Sequence, residues 1–304
     1  MRNILITGSN GLLGQKIVHA LLKRSDVNVI ATSLGENRII KKDGYTYEAL
    51  DITKISEVEL VLNKHKPDVI INTAAMTNVD ACETKREECW VLNVTAVQNI
   101  VEVLSSAEDL KSCHLIHLST DFIFDGEKGA EYVETDIPNP LSYYALTKYE
   151  SEKILEKSSI NWAIARTIIV YGIVDNMSRS NIILWAKDAL TKQQKINVVD
   201  DQFRSPTLAE DLADGCILIA DKKAKGIFHL SGPDTMSILE LVNRVANFWK
   251  LDKSLITPSK SNSLNQAAKR PPRTGFDISK AKRELGYAPH SFEQGLKIMD
   301  KQLP

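Results

Sequence analysis

Cysteine is scarce in this chain of 304 residues. Cys82, Cys89, Cys113 and Cys216 show neither Cys-x-x-Cys spacing nor the density of a disulfide framework. This argues against a stapled secreted scaffold and for free, packed thiols in a reducing cytoplasm. The histidines are scattered too, so no metal site is expected. Neither charge sign dominates: the net charge is -1. The chain therefore has no global basic field to draw nucleic acid or an anionic membrane. No apolar run approaches the roughly 20 residues of a membrane span. Met1-Arg2-Asn3 leads directly into a strand pattern, which leaves no room for a signal peptide. Internal repeats and low-complexity segments are also missing. What is present is 43% hydrophobic residues, enough for one large core or two fused lobes.

The chain is organised around Ile4-Leu5-Ile6-Thr7-Gly8-Ser9-Asn10-Gly11-Leu12-Leu13-Gly14. Three apolar residues give the signal of a buried parallel strand, and a glycine turn and a helix follow. Gly8 permits a tight turn, Gly11 a close backbone approach to a ligand, and Gly14 close packing of helix on strand. A helix N-terminus placed there offers free N–H groups to a pyrophosphate. The spacing is Gly-x-x-Gly-x-x-Gly, not the commoner dinucleotide pattern Gly-x-Gly-x-x-Gly. The second strand, Val27 to Thr32, ends at Thr32-Ser33 without the carboxylate that usually holds a ribose 2′-hydroxyl, and Arg38 lies just beyond. Hydroxyls and a cation there favour NADP(H), with NAD(H) as the alternative.

The pattern continues as alternating strands and helices. Strands are expected at Tyr45 to Leu50, Val69 to Ala75, His114 to Ser119 and Asn161 to Arg166, and helices near Ile55, over Asp80 to Ser105 and over Pro140 to Lys157. Asp51 either meets the adenine amino group or caps the following helix. Asn93 sits among apolar positions of the long helix, so it bonds a backbone group or supports a bound cofactor. This alternation predicts an α/β fold, a doubly wound parallel sheet of Rossmann type, with a smaller C-terminal substrate lobe. Residues 1–172 are expected to form the dinucleotide-binding domain and 173–304 mainly the substrate lobe, with some later segments returning to the sheet. In that second half, helices are expected at Asn181 to Lys192, at Pro206 to Asp221 with Thr207 as cap, and at Ser237 to Trp249. Strands are expected at Ile196 to Val199 and Gly226 to Leu230, and a long polar loop at Leu255 to Gly275. Two short helices close the chain.

Tyr144-Ala145-Leu146-Thr147-Lys148 carries the chemistry. Residues four apart on a helix are separated by about 40° of rotation, so Tyr144 and Lys148 share a face. A nearby ammonium is expected to lower the tyrosine pKa, and such a phenol can give a proton to a carbonyl oxygen while hydride reaches the carbon. Tyr143 has Thr147 at the same offset and cannot play this part. Thr120, at the end of its strand, is placed to donate a second hydrogen bond to the same oxygen.

The glycine triplet, Asn72-Thr73-Ala74-Ala75, Ser119-Thr120-Asp121 and Tyr144-x-x-x-Lys148 together resemble the extended short-chain dehydrogenase/reductase superfamily. Within it, Ser119 through Gly126 resembles the Ser-Thr-Asp-Tyr-Val-Phe-Asp-Gly block of the dTDP-4-dehydrorhamnose reductases. Val198 through Thr207 resembles their Asp-Gln-x-Gly-x-Pro-Thr block. The resemblance implies reduction of the C4 carbonyl of a nucleotide-activated 4-keto-6-deoxy sugar, first of all dTDP-4-dehydro-L-rhamnose, by a cytoplasmic homodimer. It implies that Gly8, Asn10, Gly11, Leu12 and Leu13 hold the pyrophosphate and that Asp51 and Ile52 flank adenine. It places Thr73, Ala74, Ala75 and Thr77 along the ribose and nicotinamide. Tyr144 would be the proton donor, Lys148 the partner of the nicotinamide ribose, Thr120 the polarising hydroxyl, and Asp121 and Phe122 the border of the sugar. Three departures stand out. Phe122 replaces a tyrosine, Ile168-Ile169 replaces Ser-Trp, and Arg204 replaces a glycine, where its guanidinium either meets a diphosphate or pairs with an acid. Arg270-Pro271-Pro272-Arg273-Thr274 extends a loop that in the family lies beside the nucleotide sugar. The alternatives are a nucleotide-sugar epimerase or dehydratase of the same superfamily, or a non-catalytic dinucleotide-binding regulatory subunit such as that of methionine adenosyltransferase.

Overall fold

The computed structural model of the protein describes residues 1–177, 180–263 and 266–303. Its first half runs β1 (Arg2–Thr7), α1 (Leu12–Leu21), β2 (Val27–Ser33), β3 (Thr46–Ala49), α2 (Ile55–His65) and β4 (Val69–Asn72). Three helical pieces follow, α3 (Val79–Thr84), α4 (Arg86–Trp90) and α5 (Ala96–Ser106), then β5 (His114–Thr120), α6 (Tyr143–Lys157) and β6 (Asn161–Thr167). The second half opens with β7 (Val170–Tyr171), α7 (Ile182–Thr191), β8 (Ile196–Val199), β9 (Phe203–Arg204) and β10 (Thr207–Leu208). It continues with α8 (Ala209–Lys222), β11 (Gly226–His229), β12 (Met236–Ser237) and α9 (Ile238–Phe248). β13 (Ile256–Ser259), α10 (Ser279–Leu285) and α11 (Phe292–Asp300) complete it.

Seven strands form one parallel sheet in the order β11-β6-β5-β4-β1-β2-β3. The chain winds outward one way through β2 and β3 and the other way through β4, β5 and β6. The direction changes between β1 and β4, and a crevice opens at the carboxyl ends of those strands, as doubly wound sheets require. Strand alternation divides the core. Ile4 and Ile6 face one layer with Ile17, Val18, Leu212 and Cys216, from α1 and α8. Leu5 faces the other with Val58, Val97, Ile100 and Leu155, from α2, α5 and α6. A third cluster, including Tyr171, Ile183, Leu190, Leu241, Val245, Phe292 and Leu296, packs α7, α9 and α11 on one another. β11 comes from the second half yet pairs with β6, so the sheet draws on both halves of the chain.

Several expected elements differ. The helix expected from Asp80 to Ser105 breaks at Lys85, where the backbone leaves helical geometry, and contains a π-turn at Val91–Thr95. Thr207 does not cap α8; its hydroxyl donates to the Ile168 carbonyl at 2.7 Å, and the helix starts at Ala209. α6 starts at Tyr143, three residues after Pro140, because Ser142 accepts the Ala145 N–H as cap. The polar stretch from Leu255 to Gly275 contains β13, which pairs with β8, and residues 264–265 of it lie outside the described residues.

Candidate active site

The glycine turn forms the wall of the crevice. Gly8 has φ +67°, and a Cβ there would stand 2.8 Å from the Ala74 nitrogen. A Cβ on Gly14 would drive into the Gly8 carbonyl and stand 2.7 Å from the Ser9 Cα. α1 opens at Gly11 with no side-chain cap and no acid in its first turn. Its first turn thus has no side-chain acceptor, and Gly8 and Gly14 let strand, turn and helix pack closer than any Cβ would allow. The N–H groups of such a turn fit a dinucleotide pyrophosphate.

One cavity of about 360 Å³ runs along Gly8, Asn10, Gly11, Thr32, Ser33, Arg38, Asp51, Ile52, Thr73, Ala74 and Ala75. The side chains there divide between structural and open roles. Thr32 is fully buried and donates to the Ile6 carbonyl at 3.1 Å, so its hydroxyl serves the sheet and not a 2′-phosphate. Asn10 accepts the Arg38 N–H and donates to the Glu36 carbonyl, each at 2.8 Å, so its amide fastens the loop after β2. Thr73 donates to the Thr7 carbonyl at 2.6 Å. Asp51 accepts from the Thr53 N–H and hydroxyl at 3.0 and 2.6 Å; it makes the turn ahead of α2 while still bordering the cavity. Arg38 is exposed at the rim of this cavity.

A second cavity, of about 490 Å³, joins Gly11, Leu12, Leu13, Gly14, Thr73, Ala75 and Thr77 to Thr120, Asp121, Phe122, Tyr144 and Lys148. Residues distant in sequence thus meet at one mouth. Tyr144 packs edge-on to Phe122, with ring centroids 6.2 Å apart. Burial pushes its phenol well above the usual tyrosine range, and a hydrogen bond with Thr120 pulls the other way. The net direction is upward, opposite to the lowering expected of the phenol beside an ammonium. The Lys148 Nζ lies 3.1 Å from His117 Nε2, and burial lowers this ammonium to about 8.

Two expected site residues have their polar groups tied into the fold. Asn93, carried inward by the π-turn, accepts the Met76 N–H at 2.8 Å, donates to the Met76 carbonyl at 3.1 Å and donates to Thr147 Oγ1 at 3.0 Å. It ties the chain after β4 to the catalytic helix and has no place on the cofactor surface. Arg204 is 1% exposed and donates to the carbonyls of Phe203 and Pro271 at 2.7 and 2.6 Å. Its Nε stands 3.6 Å from Asp121, so the guanidinium pairs with an acid instead of meeting a diphosphate. Asp121 also accepts from Thr274 and, at 3.1 Å, from Thr120. Burial raises its carboxyl against the pull of Arg204.

With this geometry in place, the comparisons with known proteins decide the family. The model of the RmlD substrate binding domain matches residues 1–303. The chain belongs to the RmlD family. It is 30% identical to the dTDP-4-dehydrorhamnose reductase of Aggregatibacter actinomycetemcomitans, covering 98% of each chain. It is 29% identical to the methionine adenosyltransferase 2 subunit beta of Xenopus laevis, over 93% of this chain and 82% of that protein. The crystal structure of the Bacillus anthracis dTDP-4-dehydrorhamnose reductase in complex with NADP superposes with a TM-score of 0.83, at 25% identity and over 100% of both chains.

Within this RmlD-family site, sequence reasoning missed two contributors and one backbone conformation. His117, 3.1 Å from Lys148, reads as an ordinary strand residue, and its buried partner Asn72 entered only as part of a family motif. Ile169 lines the catalytic cavity from a left-handed backbone conformation, φ +31°, which is costly for a β-branched residue and has no sequence signal. It also borders an adjoining cavity with Phe122, Trp185, Asn197, Gln202, Arg204 and Arg270.

Proposed function

We propose that the chain is an NADPH-dependent reductase of the C4 carbonyl of a nucleotide-activated 4-keto-6-deoxy sugar, with dTDP-4-dehydro-L-rhamnose as first candidate. The observation that carries the reading is the single cavity in which Thr120, Tyr144 and Lys148 face the glycine cradle. The bound dinucleotide supplies hydride. Tyr144 gives its proton to the sugar oxygen, and a phenol pushed upward by burial is kept protonated for that purpose. Thr120, whose proton goes to Asp121 in the free site, turns it to the same oxygen when substrate binds, and Lys148 orients the ribose. The adjoining cavity takes the nucleotide, with the half-exposed Trp185 as a stacking surface and Arg270, paired with Asp80 at 2.7 Å, near the diphosphate.

The site disfavours the dehydratase reading. A dehydratase needs a free acid beside the catalytic threonine, and Asp121 is engaged by Arg204, Thr274 and Thr120. Incubation with NADPH and freshly generated dTDP-4-dehydro-L-rhamnose should give a product heavier by the mass of two hydrogens. If cofactor binds but no keto-sugar is reduced, the binding-subunit reading, supported by the methionine adenosyltransferase relatives, replaces it.

A further inference from the structure

A buried polar chain runs across three strands and ends on the catalytic lysine. The Thr7 hydroxyl on β1 donates to Asn72 Oδ1 on β4 at 2.5 Å, a separation that fits O–H···O and is too short for N–H···O. The Asn72 carboxamide is thereby oriented with its NH₂ toward His117 on β5, where Nδ2 stands 3.1 Å from Nδ1. An amide NH₂ only donates, so Nδ1 carries the lone pair and the ring proton sits on Nε2. Nε2 faces two atoms on α6: Ser151 Oγ at 2.9 Å and Lys148 Nζ at 3.1 Å. Ser151 has spent its own proton on the Lys148 carbonyl at 2.6 Å and therefore accepts. The one Nε2 hydrogen is thus shared between Ser151 Oγ, at the shorter distance, and the lysine, whose amine nitrogen can accept it and whose ammonium cannot. Thr7, Asn72, His117, Lys148 and Ser151 are all buried.

We propose that His117 is a positioning residue for the reaction: fixed by Asn72 as an Nε2–H donor, it holds the Lys148 side chain against the sheet and favours its amine over its ammonium form. The titratable groups facing Lys148 are His117 from β5, Glu152 from α6 itself and Cys89 from α4. Glu152 and Cys89 act in the opposite direction to burial, and Glu152 is already paired with Arg166 at 2.7 Å. Burial and Lys148 together keep the His117 ring well below the usual histidine range, consistent with a neutral donor. The kinetic consequence rests on the reductase reading. One proton passes from Tyr144 to the sugar oxygen, one from the Lys148 ammonium to the phenolate, and solvent returns one to the amine. A lysine populated in both forms near neutral pH serves both halves of that exchange.

The test uses the whole chain, and its deciding spectra need no substrate. Long-range ¹H–¹⁵N spectra of the wild type should show His117 as the Nε2–H tautomer; the Nδ1–H tautomer would overturn the proposal. Lysine ¹³Cε titration, assigned by Lys148→Met, should place Lys148 near 8. Asn72→Asp removes the amide donor, moves the ring proton to Nδ1 and turns the Nε2 lone pair toward the lysine. The Lys148 midpoint should then rise by about one pH unit or more, a tenfold change in the amine-to-ammonium ratio. The pH limb of kcat should follow it. In Asn72→Asp combined with His117→Leu the rise should be lost. An unshifted midpoint in Asn72→Asp, or an equal rise in the double variant, would reduce His117 to a packing residue. Absence of turnover alongside the expected spectra would count against the reductase reading alone.

Discussion

Gly14 and Arg38 show how single residues set cofactor binding. A methyl group at Gly14 meets backbone atoms of Gly8 and Ser9, which cannot swing aside. Gly14→Ala should therefore weaken NADPH binding about tenfold or more, a loss of about 1.4 kcal/mol, as read by quenching of cofactor fluorescence. Arg38 borders the cavity beside the end of β2, which carries no carboxylate. Arg38→Ala should lower affinity for NADPH about tenfold and leave NADH nearly unchanged, since charge-assisted hydrogen bonds contribute about 1.5–3 kcal/mol. Equal losses for both cofactors would show that Arg38 does not meet the 2′-phosphate. The glycines were legible in the sequence because backbone sterics leave them few alternatives. The roles of Thr32, Asn10 and Arg204 were not, because side-chain partners such as the Ile6 carbonyl and Asp121 are chosen by the tertiary fold.

At the level of elements, α6 is held as firmly as its task demands. Glu152, fully buried one turn beyond Lys148, pairs with Arg166 of β6 at 2.7 Å. Glu152→Ala would leave a guanidinium buried without its acid. It should cost about 3–5 kcal/mol in urea unfolding, much more than an exposed pair would. The π-turn before α5 does comparable work, for Asn93 joins the chain after β4 to α6 through Met76 and Thr147. Apolar spacing made this stretch legible as helical. It did not reveal the break at Lys85 or the extra residue in the turn, because neither changes the apolar pattern. The same limit hid the start of α8, where Thr207 reads as a cap but bonds across to Ile168.

For the whole molecule, parallel strands with short crossovers made the doubly wound sheet readable, since buried apolar runs and helical periods differ clearly. The pairing of β11 with β6 was less accessible, because a short strand carries no mark of its neighbour. The sheet also buries three histidines. Burial lowers His114 to about 4 from a usual 6.5, and holds His117 and His229 well below that range. The unfolded chain thus takes up protons first as pH falls, so stability is full above about 6.5 and declines toward about 4. Asp121, raised by burial, offsets part of this loss. Thermal unfolding should move to lower temperature between about pH 7 and about pH 5, and His114→Gln should lessen the change. The central claim is that the buried phenol of Tyr144 serves a cofactor and a keto-sugar in one cavity. Its most direct test is NADPH oxidation with freshly generated dTDP-4-dehydro-L-rhamnose, comparing the wild type with Tyr144→Phe. Turnover by the wild type, with a loss of about 100-fold or more in the variant while NADPH binding persists, is the expected result. Equal turnover by the two proteins, or none by the wild type with cofactor bound, would contradict the account.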